Sequence, residues 1–306
     1  MGQIAFVFAG QGAQYPGMGK MLCEASPAAR TVFEMADHIR PGTSRQCFEG
    51  TKKELSETNN TQPCVFTVDL ACAAALREAG VEADGAAGFS LGEIPGLAYT
   101  GILSEQDAFR LVCKRAELME QCSNNNDGAM AAILGLSTKQ AEQLCREAGV
   151  WPVNYNCPGQ LVAAGDAQAI SALRRPAAAA GGRAVRLAVS GAFHSPAMSK
   201  ASDGLAEELK GYSFRQPAIP LYSNVTAEPY GDDAADLIAR QVQSPLLWQE
   251  TIEHMIEAGF DTFLEAGPGT TLCGLIRRIS PAVHTAGVEN PESLAQAVRL
   301  VKGENH

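Results

Sequence analysis

Apolar residues run unbroken from Ile4 to Ala9 and stop at Gly10-Gln11-Gly12. Such a run, closed by glycines, predicts a buried strand ending in a tight turn. An alanine-rich stretch predicts a helix over 62–79, and small residues over 85–89 predict a second strand. Ser104 with Asp107 three residues on gives a helix start close to a capping box. The helix that follows carries an inward stripe of Ala108, Leu111, Val112, Leu118, Met119 and Cys122, with Arg115 in its middle. The polar cluster Ser123-Asn124-Asn125-Asn126-Asp127-Gly128 marks a boundary. Beyond it the pattern reads strand 129–134, helix 138–148, strands 151–155 and 160–164, helix 167–180 and strand 183–188. That order, βαββαβ, is the ferredoxin-like arrangement, inserted here as residues 125–188. Larger α/β texture then returns, with a strand within 214–224, helices over 234–243 and 247–258, a strand over 260–265 and a helix over 270–279. The flanking segments 1–124 and 189–306 are expected to form one large unit. No internal repeat or low-complexity segment interrupts the pattern.

The 306 residues are 46% hydrophobic and 19% charged, the composition of a globular chain with ample core. Lys and Arg number 24 against 34 Asp and Glu, so the net charge is −10. That balance argues against non-specific binding to nucleic acid or to an anionic membrane. No apolar run reaches transmembrane length, and Met1-Gly2-Gln3 lacks the basic segment of a signal peptide. Nine cysteines, an odd number without C-x-x-C spacing, point to free thiols in a reducing cytoplasm and to no metal site.

The chemistry concentrates at Gly88-Phe89-Ser90-Leu91-Gly92, which fits the G-x-S-x-G nucleophile elbow. A serine hydroxyl attacks only when it stands clear of the backbone on a strained strand-to-helix turn. Glycines two residues to either side let the neighbouring backbone pass without a Cβ clash. The loop Gly10-Gln11-Gly12 fails the dinucleotide pattern, because Tyr15 stands where a third glycine is needed. Its alternative use is to aim a backbone N–H at an active site.

A general base for Ser90 has five histidines to come from. His306 is terminal, His38 and His254 sit in polar helical surroundings, and His284 falls in a strand pattern. His194 lies in the loop Ser190-Gly191-Ala192-Phe193-His194-Ser195-Pro196, flanked by residues that shape a fixed turn, and is the expected partner. No aspartate is placed to complete a triad, so a backbone carbonyl would orient the imidazole. Arg115 either meets a carboxylate, reaches the edge of its helix, or awaits an anionic ligand.

Seven ordered blocks resemble the malonyl-CoA:acyl-carrier-protein transacylase family: residues 8–14, Gln62-Pro63, 88–93, 115–119, 154–160, 191–195 and 265–269. The resemblance implies an α/β-hydrolase-like, parallel-sheet large domain with an inserted ferredoxin-like small domain. It implies ping-pong acyl transfer from malonyl-CoA to acyl carrier protein through Ser90, with His194 as base and no tightly bound cofactor. The N–H groups of Gln11 and Leu91 would form the oxyanion hole, and Arg115 would hold the malonyl carboxylate. A backbone carbonyl near Leu247 would orient His194. Asn156 and Gln160 would shape the rim, and Phe193 would disfavour an α-methyl substituent. The family usually has a histidine at position 89, where this chain has Phe89, which bears on acyl specificity.

A monomer is expected, with Arg277-Arg278 or Lys200 as candidate contacts for an acidic carrier. The alternatives are a trans-acting acyltransferase of polyketide assembly, a serine thioesterase on the same scaffold, and a silent docking subunit.

Overall fold

The computed structural model describes residues 2–124, 127–189 and 191–303. Asn125 and Asn126 of the polar turn, Ser190 of the His194 loop and the terminal His306 lie outside the described residues.

Nine strands are described: β1 Gln3–Phe8, β2 Gly85–Gly88, β3 Gly128–Leu134, β4 Trp151–Cys157, β5 Gln160–Asp166, β6 Arg183–Arg186, β7 Leu221–Tyr222, β8 Phe260–Ala266 and β9 His284–Val288. Five form a parallel sheet of order β7-β2-β1-β8-β9. Parallel strands need both faces covered, which explains the continuous apolar run of β1. Phe6 and Phe8 pack into a core shared with the helices Thr58–Glu78 and Glu105–Asn124. Ala5 and Val7, one residue out of phase, pack against Trp248–Glu257 and Thr271–Ile279 on the other face.

The remaining four strands form an antiparallel sheet of order β4-β5-β3-β6, the ferredoxin-like order. Ala129, Ala131 and Ile133 face its own helices, beginning with Thr138–Ala148. Met130 and Ala132, with Val162 and Ala164 of β5, turn the opposite way and join the core of the large sheet. The small sheet therefore lies over the carboxyl ends of the large one, with a cleft between them.

One expectation is corrected by proline. The helix expected over 167–180 is two helices, Ala167–Ala172 and Arg174–Ala179, meeting at Leu173. Restarting the helix places Pro176 in a first turn, where its missing N–H leaves no bond unmade. The strand expected within 214–224 is there as Leu221–Tyr222, kept short because Pro217 and Pro220 cannot donate to a ladder.

Candidate active site

The elbow is built from the end of β2. Ser90 has φ 56°, in the left-handed region that non-glycine residues rarely occupy. It opens a 3₁₀ turn, Ser90–Gly92, which leads into the helix Glu93–Tyr99. A Cβ on Gly88 would lie 2.0 Å from the Gly92 carbonyl carbon, and one on Gly92 would lie 2.3 Å from the Phe8 oxygen. Both obstacles are backbone, so only glycine fits at either position. Asn224, just past β7, clamps the turn: its Oδ1 accepts from Ser90 N at 2.8 Å and its Nδ2 donates to Gly88 O at 2.8 Å.

His194 also has a positive φ, 62°, and its Nε2 stands 2.8 Å from Ser90 Oγ. Its Nδ1 is 2.9 Å from the main-chain oxygen of Gln241. A carbonyl can only accept, so the Nδ1 site carries the proton and Nε2 is left bare to take one from the serine. This corrects the expectation that Leu247 supplies that carbonyl. The Leu247 oxygen accepts from Thr251 N and Thr251 Oγ1, both at 2.8 Å, and is spent on its own helix. Gln241 ends the helix Ala234–Gln241, where last-turn carbonyls lack intrahelical donors. Burial, and then the nearby Arg115 charge, push the His194 imidazole down to about 3, so it is neutral and basic-faced at physiological pH.

Arg115 is 1% exposed. Its Nη1 donates to Gln62 Oε1 at 2.7 Å, and its Nη2 donates to Gln241 Oε1 at 2.8 Å and to Ser90 Oγ at 3.1 Å. Its Nε has no partner, and among the described residues it forms no ion pair. Burial lowers its pKa to about 10, which leaves it charged at neutral pH. A guanidinium buried among neutral amides is costly, and its hydrogen-bonding capacity is unfilled. The nearest acid stands one side chain further off. Glu93, fully buried, accepts from Asn224 N at 2.6 Å and from Gln241 Nε2, and burial pushes its carboxyl up to about 7. Gln241 Nε2 also donates to Ser90 O at 2.8 Å.

The cleft opens in two steps. A cavity of about 70 Å³ touches Ser90, His194, Gln11, Met130 and Phe193. Gln11, Phe89, Asn154 and Leu187 are shared with an outer pocket of about 220 Å³, which Asn156 and Gln160 also line. Gln11 sits on the glycine turn after β1 and lines the inner cavity with Ser90, and Leu91 follows Ser90 in the 3₁₀ turn. The side-chain oxygens of Asn154 and Asn156 are buried without partners. The Phe89 ring meets Trp248 edge-on, with centroids 5.4 Å apart, so position 89 presents an apolar wall. Lys200 lines neither cavity. Sequence reasoning had assigned no role to Gln241 or Asn224, nor to Glu93 or Gln62 beyond their place in the blocks.

A family-wide profile described as the acyl transferase domain matches residues 5–295. The chain belongs to the acyl transferase domain family. Among its relatives, the malonyl CoA-acyl carrier protein transacylase of Bacillus subtilis strain 168 is 38% identical, covering 100% of this chain and 99% of its own length. The Escherichia coli K12 protein of the same name is 35% identical, over 98% and 100%. The crystal structure of the Clostridium perfringens transacylase superposes with a TM-score of 0.94 at 33% identity, over 99% of this chain and 98% of that one. A malonyl-transacylase solved with a type II PKS acyl-carrier protein superposes with a TM-score of 0.94 at 34% identity, over 97% and 99%. In this acyl transferase chain the His194 imidazole and the buried Arg115 guanidinium meet at one oxygen, Ser90 Oγ.

Proposed function

We propose that the chain transfers a malonyl group from malonyl-CoA to the phosphopantetheine thiol of acyl carrier protein, supplying fatty-acid elongation. The observation that carries the acyl choice is Arg115: a buried guanidinium, paired only with neutral oxygens, touching the nucleophile itself. A thioester whose acyl end bears a carboxylate supplies the missing anion within reach of Ser90. The names of the relatives agree with this chemistry, and the complex with a carrier protein supports the acceptor.

Ser90 Oγ gives its proton to His194 Nε2 and attacks the thioester carbon. The N–H groups of Gln11 and Leu91 receive the oxyanion. Collapse breaks the C–S bond, and His194 returns the proton to the departing CoA sulfur. The carrier thiol then gives its proton to His194 and attacks the acyl-serine, and Ser90 leaves with that proton restored. Only protein groups take part, so the route needs no cofactor.

Substrate binding also prepares the base. The Arg115 charge is the second cause of the low His194 pKa, and a carboxylate seated on Arg115 offsets it. In this reading residues 1–124 and 189–306 form the catalytic unit, residues 125–188 the small unit over it, and the compartment is the cytoplasm.

The test is intact mass after brief mixing with malonyl-CoA, then addition of holo carrier protein. A malonyl adduct that needs Ser90 and passes to the carrier is expected. An adduct lost as free malonate at one rate with or without carrier would make the chain a hydrolase.

A further inference from the structure

Beneath the elbow one acid and one base are sealed in together. Glu93 and Arg115 are both buried, and among the described residues neither forms an ion pair. A single amide separates them. Gln241 Oε1 accepts from Arg115 Nη2 at 2.8 Å, and Gln241 Nε2 donates to Glu93 Oε2. Glu93 Oε1 accepts from Asn224 N at 2.6 Å. The titratable groups that face Glu93 from the elements around it are the Arg115 guanidinium, on the helix Glu105–Asn124, and the Tyr230 hydroxyl, after β7. His194 is held by the main-chain oxygen of the same Gln241. Glu93 lines neither the inner cavity nor the outer pocket, so it reaches a substrate only through its neighbours.

The charge on this pair depends on one proton. With Glu93 ionised the pair sums to zero, and with Glu93 protonated it carries one positive charge. In a buried site that difference acts strongly on any further charge brought to Arg115. A carboxylate arriving at Arg115 is opposed by an ionised Glu93 and favoured by a neutral one. By linkage, the arriving anion draws a proton onto Glu93. Burial pushes that carboxyl up to about 7 while the Arg115 charge opposes the rise, so an anion that offsets Arg115 raises it further. A neutral acyl group brings no charge and leaves Glu93 as it was.

We infer that Glu93 is the internal counterion of Arg115, and that a malonyl carboxylate replaces it by driving a proton onto it. Glu93 is thus a positioning residue that sets acyl choice through Gln241 and Arg115. This rests on the function proposed above and adds a condition to it. The preference for an anionic acyl group over a neutral one belongs to the protonated site and fades as pH rises.

The readout is the ratio of kcat/KM for Ser90 acylation by malonyl-CoA to that by acetyl-CoA, from about pH 6 to 9. This constant reports the free enzyme, so the ionisations of His194 and of the CoA moiety are common to both substrates and cancel in the ratio. In wild type the malonyl preference is expected to fall roughly tenfold across the range, with its bend near pH 7. Glu93→Gln has no proton to exchange, and its ratio is expected to be flat. Tyr230→Phe removes a hydroxyl that favours the charged carboxylate, and is expected to move the bend upward. A glutamate with a structural role alone would change both rates without bending their ratio. A flat wild-type ratio, or a bend that survives in Glu93→Gln, overturns the inference and leaves the proposed function standing. Should thermal melting show Glu93→Gln unfolded, a bend that stays in place in folded Tyr230→Phe overturns it. A wild type that malonyl-CoA does not acylate sinks the proposed function, and this inference with it.

Discussion

Glu93→Gln tests the electrostatics beneath the elbow. Glu93 is fully buried, and its carboxyl is raised from 4.5 to about 7, chiefly by burial. Below pH 4.5 it is protonated whether the chain is folded or not, and folding carries no penalty. Between 4.5 and 7 the unfolded chain ionises first, so stability is lost as pH rises through that window. Above 7 the full cost, about 3 kcal/mol, is present and constant. A glutamine has no proton to lose, so the variant lacks this slope. The substitution has a fixed cost as well. Asn224 N and Gln241 Nε2 both donate to the carboxylate, and an amide can accept from only one of them. Either one donor is orphaned, at about 1–3 kcal/mol, or Gln241 turns over and withdraws its Oε1 from Arg115. Urea unfolding of both proteins at several pH values from 4.5 to 8 isolates the term, because other titrating groups largely cancel in the difference. The stability of the variant relative to wild type is expected to rise by about 3 kcal/mol across the window. Parallel curves would refute the argument.

Arg115→Ala is expected to slow acylation by malonyl-CoA roughly 10²–10³-fold while slowing acetyl-CoA far less, since only malonyl carries the anion. Equal losses in stopped-flow acylation would remove the carboxylate role. Gly92→Ala forces a Cβ to within 2.3 Å of the Phe8 oxygen and is expected to lower stability by about 3 kcal/mol or more. A wild-type melting curve would contradict that. With His194 held down to about 3, the acid limb for acetyl-CoA acylation should lie below about pH 5, and the corresponding limb of kcat with malonyl-CoA should lie higher. Coincident limbs would show that the substrate carboxylate does not act on the base.

What could be read from the chain was local. The elbow is legible because its two glycines and its serine lie within five residues, and the stripe around Arg115 because one helix carries all of it. His194 stood out by its Gly and Pro flanks. The partners of Arg115 were not legible, since Gln62 and Gln241 lie 53 and 126 residues away and an amide in an ordinary helix carries no signal. The carbonyl behind His194 was misplaced to Leu247 because any residue has one, and only the end of a helix distinguishes Gln241. The prolines at 176, 217 and 220 were visible all along, and they, rather than the apolar pattern, decide where those elements stop.

Gln241 ties four neighbours together, with its backbone oxygen on His194, its side-chain oxygen on Arg115 and its side-chain nitrogen on both the Ser90 carbonyl and Glu93. In the proposed mechanism the proton carrier, His194, and the reader of the acyl tail, Arg115, are therefore fastened to the same residue. An enzyme drifting toward a new acyl group cannot reshape one without disturbing the other. On the proposed function its freedom to diverge lies across the cleft, where Met130 and Leu187 line the inner cavity from other elements.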